Sequence, residues 1–152
     1  MTAVLAIGSN LGDRLAMLRL AVEVLEPAAA SPVYETAPVG GVEQDDYLNA
    51  VLLCDCDADV VWALAQRAER AAGRERVVRW GPRTLDVDVV VADGPVPDGL
   101  LLPHPRAHER DFVLRPWLDV DPDAHLPGHG RVRDLLVDDP GVRRRDDLRL
   151  LP

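Results

Sequence analysis

An α+β fold follows from three observations on the 152-residue chain. Two stretches carry apolar residues at helical spacing, shorter apolar or alternating runs flank them, and turn residues separate the pieces in the order β-α-β-β-α-β. Thr2 to Ile7 reads as a buried strand that Gly8 breaks, and Asn10, with Asp13 three residues on, offers a helix cap. Leu11, Leu15, Leu18, Val22 and Leu25 then recur with helical period until Pro27 stops them. Ser31 to Thr36 and Leu48 to Cys54 read as two strands joined by a loop over 38–46. A second helix is expected from about Asp59 to Ala72, with Gly73 as its C-terminal cap, and a strand follows from Leu85 to Val91. This order matches the split βαβ, ferredoxin-like core, an antiparallel sheet with both helices on one face. Beyond it the sequence predicts a C-terminal irregular extension: a turn over 93–99, a short helix around Ala107 to Leu118, and a solvated tail or edge segment over 138–152.

Length and a 47% hydrophobic content suit one well-buried core, so a single domain over 1–152 is expected. No apolar run nears the roughly 18 residues of a membrane span, and Met1 to Ile7 lacks the basic flank of a signal peptide. The expectation is a cytoplasmic monomer with no membrane partner. A net charge of -9 argues against nucleic acid, because duplex binding needs an excess of cations. Yet Arg67, Arg70, Arg74, Arg76, Arg79 and Arg83 gather between the second helix and the following strand, a local positive funnel fit for a small polyanion. Cys54 and Cys56 have no second pair to complete a metal or disulfide pattern and read as reduced core filler.

The stretch from Arg79 to Val91 joins that basic loop to the strand. Side chains alternate along a strand, so Asp86 and Asp88 share one face while Leu85, Val87, Val89 and Val91 share the other. A D-x-D pair alone reads first as two solvated acids on a wet face and only second as a metal site. Beside arginines, two hard oxygen donors suit Mg²⁺ held by carboxylates together with substrate phosphates. No Gly-x-x-x-x-Gly-Lys-Ser/Thr run is present, which argues against a P-loop.

The blocks Ala6 to Gly12, Tyr47 to Ala50, Gln66 to Glu69, Gly73-Arg74, Arg79 to Asp88 and Pro103 to Arg106 occur in series. In that series, and most specifically in Trp80-Gly81-Pro82-Arg83-Thr84-Leu85-Asp86-Val87-Asp88, the chain resembles the 6-hydroxymethyl-7,8-dihydropterin pyrophosphokinase family. The resemblance implies transfer of the β,γ-pyrophosphoryl unit of ATP to a reduced hydroxymethylpterin, with release of AMP, in folate biosynthesis. It implies two Mg²⁺ ions held by Asp86 and Asp88, with Arg74, Arg76 and Arg83 catalytic on or beside a loop that closes over ATP, the co-substrate. Gln66, Glu69, Trp80, Arg83, Val89, His104 and Arg110 would line the ATP site. Thr36, Ala37, Pro38, Val39, Tyr47, Asn49, Trp80 and Phe112 would line the pterin site, with Tyr47 and Phe112 stacking on the ring and Asn49 reading its polar edge. Pro105 stands where some members carry an aromatic, and Val42-Glu43 precede the acidic run, which bears on nucleotide affinity and loop dynamics. Two rival classes stay open: a catalytically silent nucleotide-binding module and a metal-dependent phosphohydrolase.

Overall fold

The computed structural model describes residues 2–37, 45–73 and 85–151. Strand β1 (Ala3–Ser9) leads into helix α1 (Arg14–Leu25), then β2 (Ala29–Ala30), β3 (Tyr34–Thr36), β4 (Tyr47–Cys54), α2 (Ala58–Ala71) and β5 (Asp86–Val91). The sheet is antiparallel in the order β5-β1-β4-β3-β8, with β2 also on β4, and β8 (Val142–Arg144) closes one edge. Without β8 this is the strand order that the split βαβ reading requires.

Local chemistry sets the element ends. The N-cap of α1 is Asp13, whose carboxylate accepts the Ala16 N–H at 3.1 Å, and not Asn10. Asn10 is instead 2% exposed and donates its side-chain amide to the Asp45 carbonyl, because a buried amide must find a partner. The helix ends at Glu26 in the left-handed region, one residue before Pro27. Gly73, at φ +65°, follows α2 as expected. Gly8 does not break β1 but continues it, paired with both neighbours.

The expected strand Ser31 to Thr36 is split. Proline has no N–H to give a ladder, and around Pro32 the ladder is rebuilt: Ser31 N–H donates to the Val51 carbonyl, and the Ser31 hydroxyl accepts the Val51 N–H, each at 2.9 Å. Pairing passes from Ala30↔Leu52 to Tyr34↔Asn49, so residues 31–33 oppose only 50–51, one extra residue on the outer strand.

One face of the sheet buries Leu5, Ile7, Leu48, Leu52, Val87 and Val89 beneath Leu18, Ala21 and Leu25 of α1 and Val61, Ala65 and Ala68 of α2. The alanines let α2 lie close to the sheet. The other face, which carries Asp86 and Asp88, is chemical only at one end. Val90, 1% exposed, joins Val4 and Val51 beneath Val113, Leu114 and Trp117 of helix α3 (Asp111–Val120). A register shift at Val4/Leu5 also moves Val91 away from Leu85, Val87 and Val89 and into this second cluster.

The extension is thus more regular than its proline content suggests. A 3-10 turn over Ala107–Glu109 precedes α3, and a small hairpin of β6 (His125–Leu126) and β7 (Gly130–Arg131) and the short α4 (Val132–Leu135) follow. Asp111, 7% exposed, ties this layer down by accepting the N–H groups of Val137 at 3.1 Å and Asp139 at 2.7 Å. Both cysteines are free, and burial pushes the Cys54 thiol up to about 12, so it is inert near neutral pH.

Arginines of the tail reach back to the sheet. Glu35 on β3 meets Arg14 at 2.7 Å, Arg145 at 3.0 Å and Arg143 at 3.4 Å. The Arg14 hydrogen bond is the main cause that holds its carboxyl below the ordinary value of 4.5, against burial, with Arg145 adding to it. A carboxyl whose pKa is depressed on folding contributes stability above its unfolded value and loses it as pH falls through the folded one. Glu35→Gln is therefore expected to cost most at pH 7. Urea midpoints of the two proteins should converge below about pH 4.5, and a gap that stays constant down to pH 3 would exclude this ion-pair contribution.

Candidate active site

Antiparallel pairing aligns Asp86, Gly8, Asn49 and Tyr34 in one row across four strands, and Asp88, Ala6 and Val51 in the next. Paired residues share a face, so the two aspartates and Asn49 open on the α3 side. At one strand spacing per step, the Cα atoms of Asp86 and Asn49 lie about 10 Å apart. Asn49 and Thr36 are each 5% exposed, and the Asn49 amide donates to the Thr36 hydroxyl at 2.7 Å. Gly8 forms the floor between the acids and the amide. A Cβ there would stand 2.9 Å from Asn49 Oδ1, too close to be tolerated, and in ordinary contact with Tyr47 Cδ1 at 3.5 Å, so only glycine leaves the Asn49 side chain where it is. Tyr34, next in the row, donates its hydroxyl to Asp119 of α3, and burial pushes its pKa up to about 12.

The roof comes from the segment before α3. His104 N–H donates to the Val90 carbonyl at 2.8 Å, which hangs this segment on β5. Its Nδ1 accepts the Arg106 N–H at 3.2 Å, so in the neutral ring the proton sits on Nε2. Burial lowers the His104 pKa, Arg110 and Arg106 lower it further, and Asp88 opposes them, which leaves a neutral imidazole near pH 7. Burial also lowers the Arg110 pKa while Asp88 and Asp86 act in the opposite sense; a guanidinium stays charged regardless. Arg110 lies over the Phe112 ring, 5.6 Å from its centroid. Asp86, Asp88, His104 and Arg110 therefore share one electrostatic neighbourhood, a cation and a neutral imidazole facing two acids.

Other expected residues fall differently. Gln66 is exposed on α2, whereas Glu69 is half-buried and its Oε2 accepts the Val87 N–H at 3.0 Å. Val89 is 2% exposed with its side chain in the α1/α2 core, so only its backbone is left to meet a ligand. Tyr47 and Phe112 are partly buried, and Ala37 is exposed. Pro38, Val39, Arg74, Arg76, Trp80 and Arg83 lie outside the described residues. Sequence reasoning missed the floor role of Gly8. Its signal was a glycine in an otherwise apolar strand, which marks close approach of another group.

The acids fit a magnesium ion in a particular way. Among the described residues no three His, Cys, Asp or Glu side chains gather into a metal cage. Two half-buried carboxylates on one strand face provide the short oxygen set with which Mg²⁺ is held when phosphates or water complete its shell.

Comparison with known proteins bears on the family and the fold. The family described as 7,8-dihydro-6-hydroxymethylpterin-pyrophosphokinase matches residues 4–122. A 2-amino-4-hydroxy-6-hydroxymethyldihydropteridine pyrophosphokinase of Mycobacterium tuberculosis (strain ATCC 25618 / H37Rv) is 47% identical over 165 residues, covering 97% of this chain and 88% of that protein. The protein of the same name from Mycobacterium leprae (strain TN) is 48% identical over 166 residues, covering 97% of this chain and 87% of its own. In solved structures the fold resembles a chain of an HPPK-DHPS crystallised in complex with substrates, at TM-score 0.63 and 10% identity, covering 88% of this chain and 42% of that one. On sequence, motif order and fold together, the chain belongs to the 7,8-dihydro-6-hydroxymethylpterin-pyrophosphokinase family.

Proposed function

We propose that this chain transfers the pyrophosphoryl group of ATP to 6-hydroxymethyl-7,8-dihydropterin, giving AMP and the pterin diphosphate in folate biosynthesis, with Mg²⁺ held by Asp86 and Asp88. Family membership supports the reaction. The observation that carries the site assignment is the pair of neighbouring rows Asp86–Gly8–Asn49 and Asp88–Ala6–Val51, which set two acids and a buried amide on one face. Phosphoryl transfer asks little covalent chemistry of a protein; it asks for positioning and for cancellation of charge. Two Mg²⁺ ions, when bound, would supply that positive charge along the triphosphate and polarise the attacking hydroxyl.

The chain's own side chains do the rest. Arg110 and the Nε2–H of His104 take phosphate oxygens on the α3 side, and Arg74, Arg76 and Arg83 add cationic contacts. Asn49, held by Thr36, turns its carbonyl oxygen toward Gly8 and reads a donor on the flat ring. Tyr47, Phe112 and Trp80 provide aromatic faces, and Ala37, Pro38 and Val39 border the ring. Gln66 and the backbone at Val89 flank the nucleotide. No helix among the described residues is long and apolar enough to cross a membrane. We take the protein to act as a cytoplasmic monomer and as one domain over 1–152.

Incubation with ATP, Mg²⁺ and the reduced pterin tests the reaction. AMP that appears only with pterin is expected. Pterin-independent phosphate release would instead make the protein a phosphohydrolase, and no turnover would make it a binding module. Gly8→Ala tests the floor: the new methyl displaces the Asn49 side chain, so calorimetry should find pterin affinity weakened by about 1–3 kcal/mol, the cost of disturbing a buried polar contact. Unchanged affinity would remove Asn49 from the pterin site.

A further inference from the structure

Among the described strands β5 lies at the edge of the sheet, where backbone groups point away from the neighbouring strand and need another partner. One of these is answered by a side chain from another layer. Glu69, in the last turns of α2, accepts the N–H of Val87 at 3.0 Å across a sequence separation of 18. Val87 is the residue between Asp86 and Asp88, and that N–H belongs to the peptide unit joining Asp86 to Val87. Such a bond needs an acceptor oxygen that reaches the strand and lies along the N–H direction. Val87 is also held through its side chain, 4% exposed among the α1/α2 core residues. The backbone that aims both aspartates is thus fixed from α2 by packing and by one directed hydrogen bond.

We infer that Glu69 is a positioning residue for the acid pair: it acts on the backbone of Val87 and through it on the direction of Asp86 and Asp88. The inference rests on the reading of that pair as metal ligands. It gives Glu69 a task that needs reach and an acceptor oxygen. A carboxylate engaged by charge with a bound nucleotide would have different requirements.

Two variants of the full chain separate these properties. Glu69→Gln keeps the reach and a carbonyl acceptor but loses the charge, whereas Glu69→Asp keeps the charge and falls one methylene short. In the ligand-free protein, amide exchange at Val87 read by NMR should quicken about tenfold in Glu69→Asp, the effect of losing one directed bond. It should quicken much less in Glu69→Gln. In AMP production, Glu69→Asp should need several-fold more Mg²⁺ and turn over about tenfold more slowly at fixed Mg²⁺, with the KM for ATP at saturating Mg²⁺ within about twofold of the parent. Glu69→Gln should recover most of that loss. Exchange at Val87 unchanged in Glu69→Asp, a Glu69→Asp enzyme better than Glu69→Gln, or a raised ATP KM with intact turnover would each overturn the inference. Asp88→Asn is measured alongside. If that variant is fully active, the metal reading fails and the inference with it; if it is inactive while Val87 exchange ignores Glu69→Asp, only the positioning role fails.

Discussion

The Asp88→Asn protein should fold, melt within a few degrees of the parent, and make AMP orders of magnitude more slowly. Asparagine keeps the shape and one acceptor oxygen of aspartate while removing its charge. A solvated surface acid changed in this way shifts stability by no more than about 0.5 kcal/mol and leaves turnover alone. Asp88 is not so placed. It is half-buried and its charge offsets the burial of Arg110, so losing that charge should cost up to about 1 kcal/mol of folding free energy, or about 2–4 °C. The larger loss is expected in the reaction, because on the proposed reading a metal held by two carboxylates would keep only one. Asp86→Asn should behave alike, and the double variant should be hardly worse than the weaker single, since groups that act as a unit are strongly non-additive. Near-normal AMP production by either single variant at ordinary Mg²⁺ would end the two-metal reading.

The largest stability effect is expected at Trp117. Its side chain is 2% exposed and sits between Val4, Val51 and Val90 of the sheet and the rest of the C-terminal layer. Trp117→Ala should cost about 3–5 kcal/mol, a large share of the roughly 5–15 kcal/mol that holds a domain folded. The melting point would then drop by about 6–20 °C. Trp117→Phe should lose far less, because the indole Nε1 is buried without a hydrogen-bond partner among the described residues, and phenylalanine removes that orphan donor while keeping most of the apolar bulk. Urea unfolding of both variants checks this. If alanine is tolerated within about 1 kcal/mol, a value typical of an ordinary substitution, the α3 layer is an appendage and not part of the core.

How much of this could be read from the sequence depends on the range of each interaction. The helical stretch ending at Gly73 and the alternation around Asp86 and Asp88 are local patterns, and both were legible. So were the element order and, through the resemblance, the family. Asn10 misled as a cap because Asn and Asp cap equally well; what decided for Asp13 was the pull of the Asp45 carbonyl on Asn10, 35 residues away. Val90 carries no local signal that sets it apart from the valines beside it, and only the second layer gives it a face. Gly8 could be read as a breaker from its own neighbours, but its role depends on Asn49 standing opposite. Glu69 escapes local patterns for the same reason: its partner is a backbone N–H on another element. His104 and Arg110 needed the family to be noticed at all, since neither carries a periodic signal.

The residue in excess at Ser31-Pro32-Val33 acts as a parity switch for the strand beyond it. Up to Ala30 the outer strand keeps step with β4, and if that count continued, Tyr34 and Thr36 would point toward α1 and α2, with Glu35 toward α3. The inserted residue reverses the count. It brings the Thr36 hydroxyl to Asn49 and the Tyr34 hydroxyl to Asp119, and it turns Glu35 to the side where Arg14 waits. A deletion of one residue here, harmless in many surface loops, would exchange the two faces of β3 at a stroke and take away the Asn49 anchor without touching any residue of the proposed site.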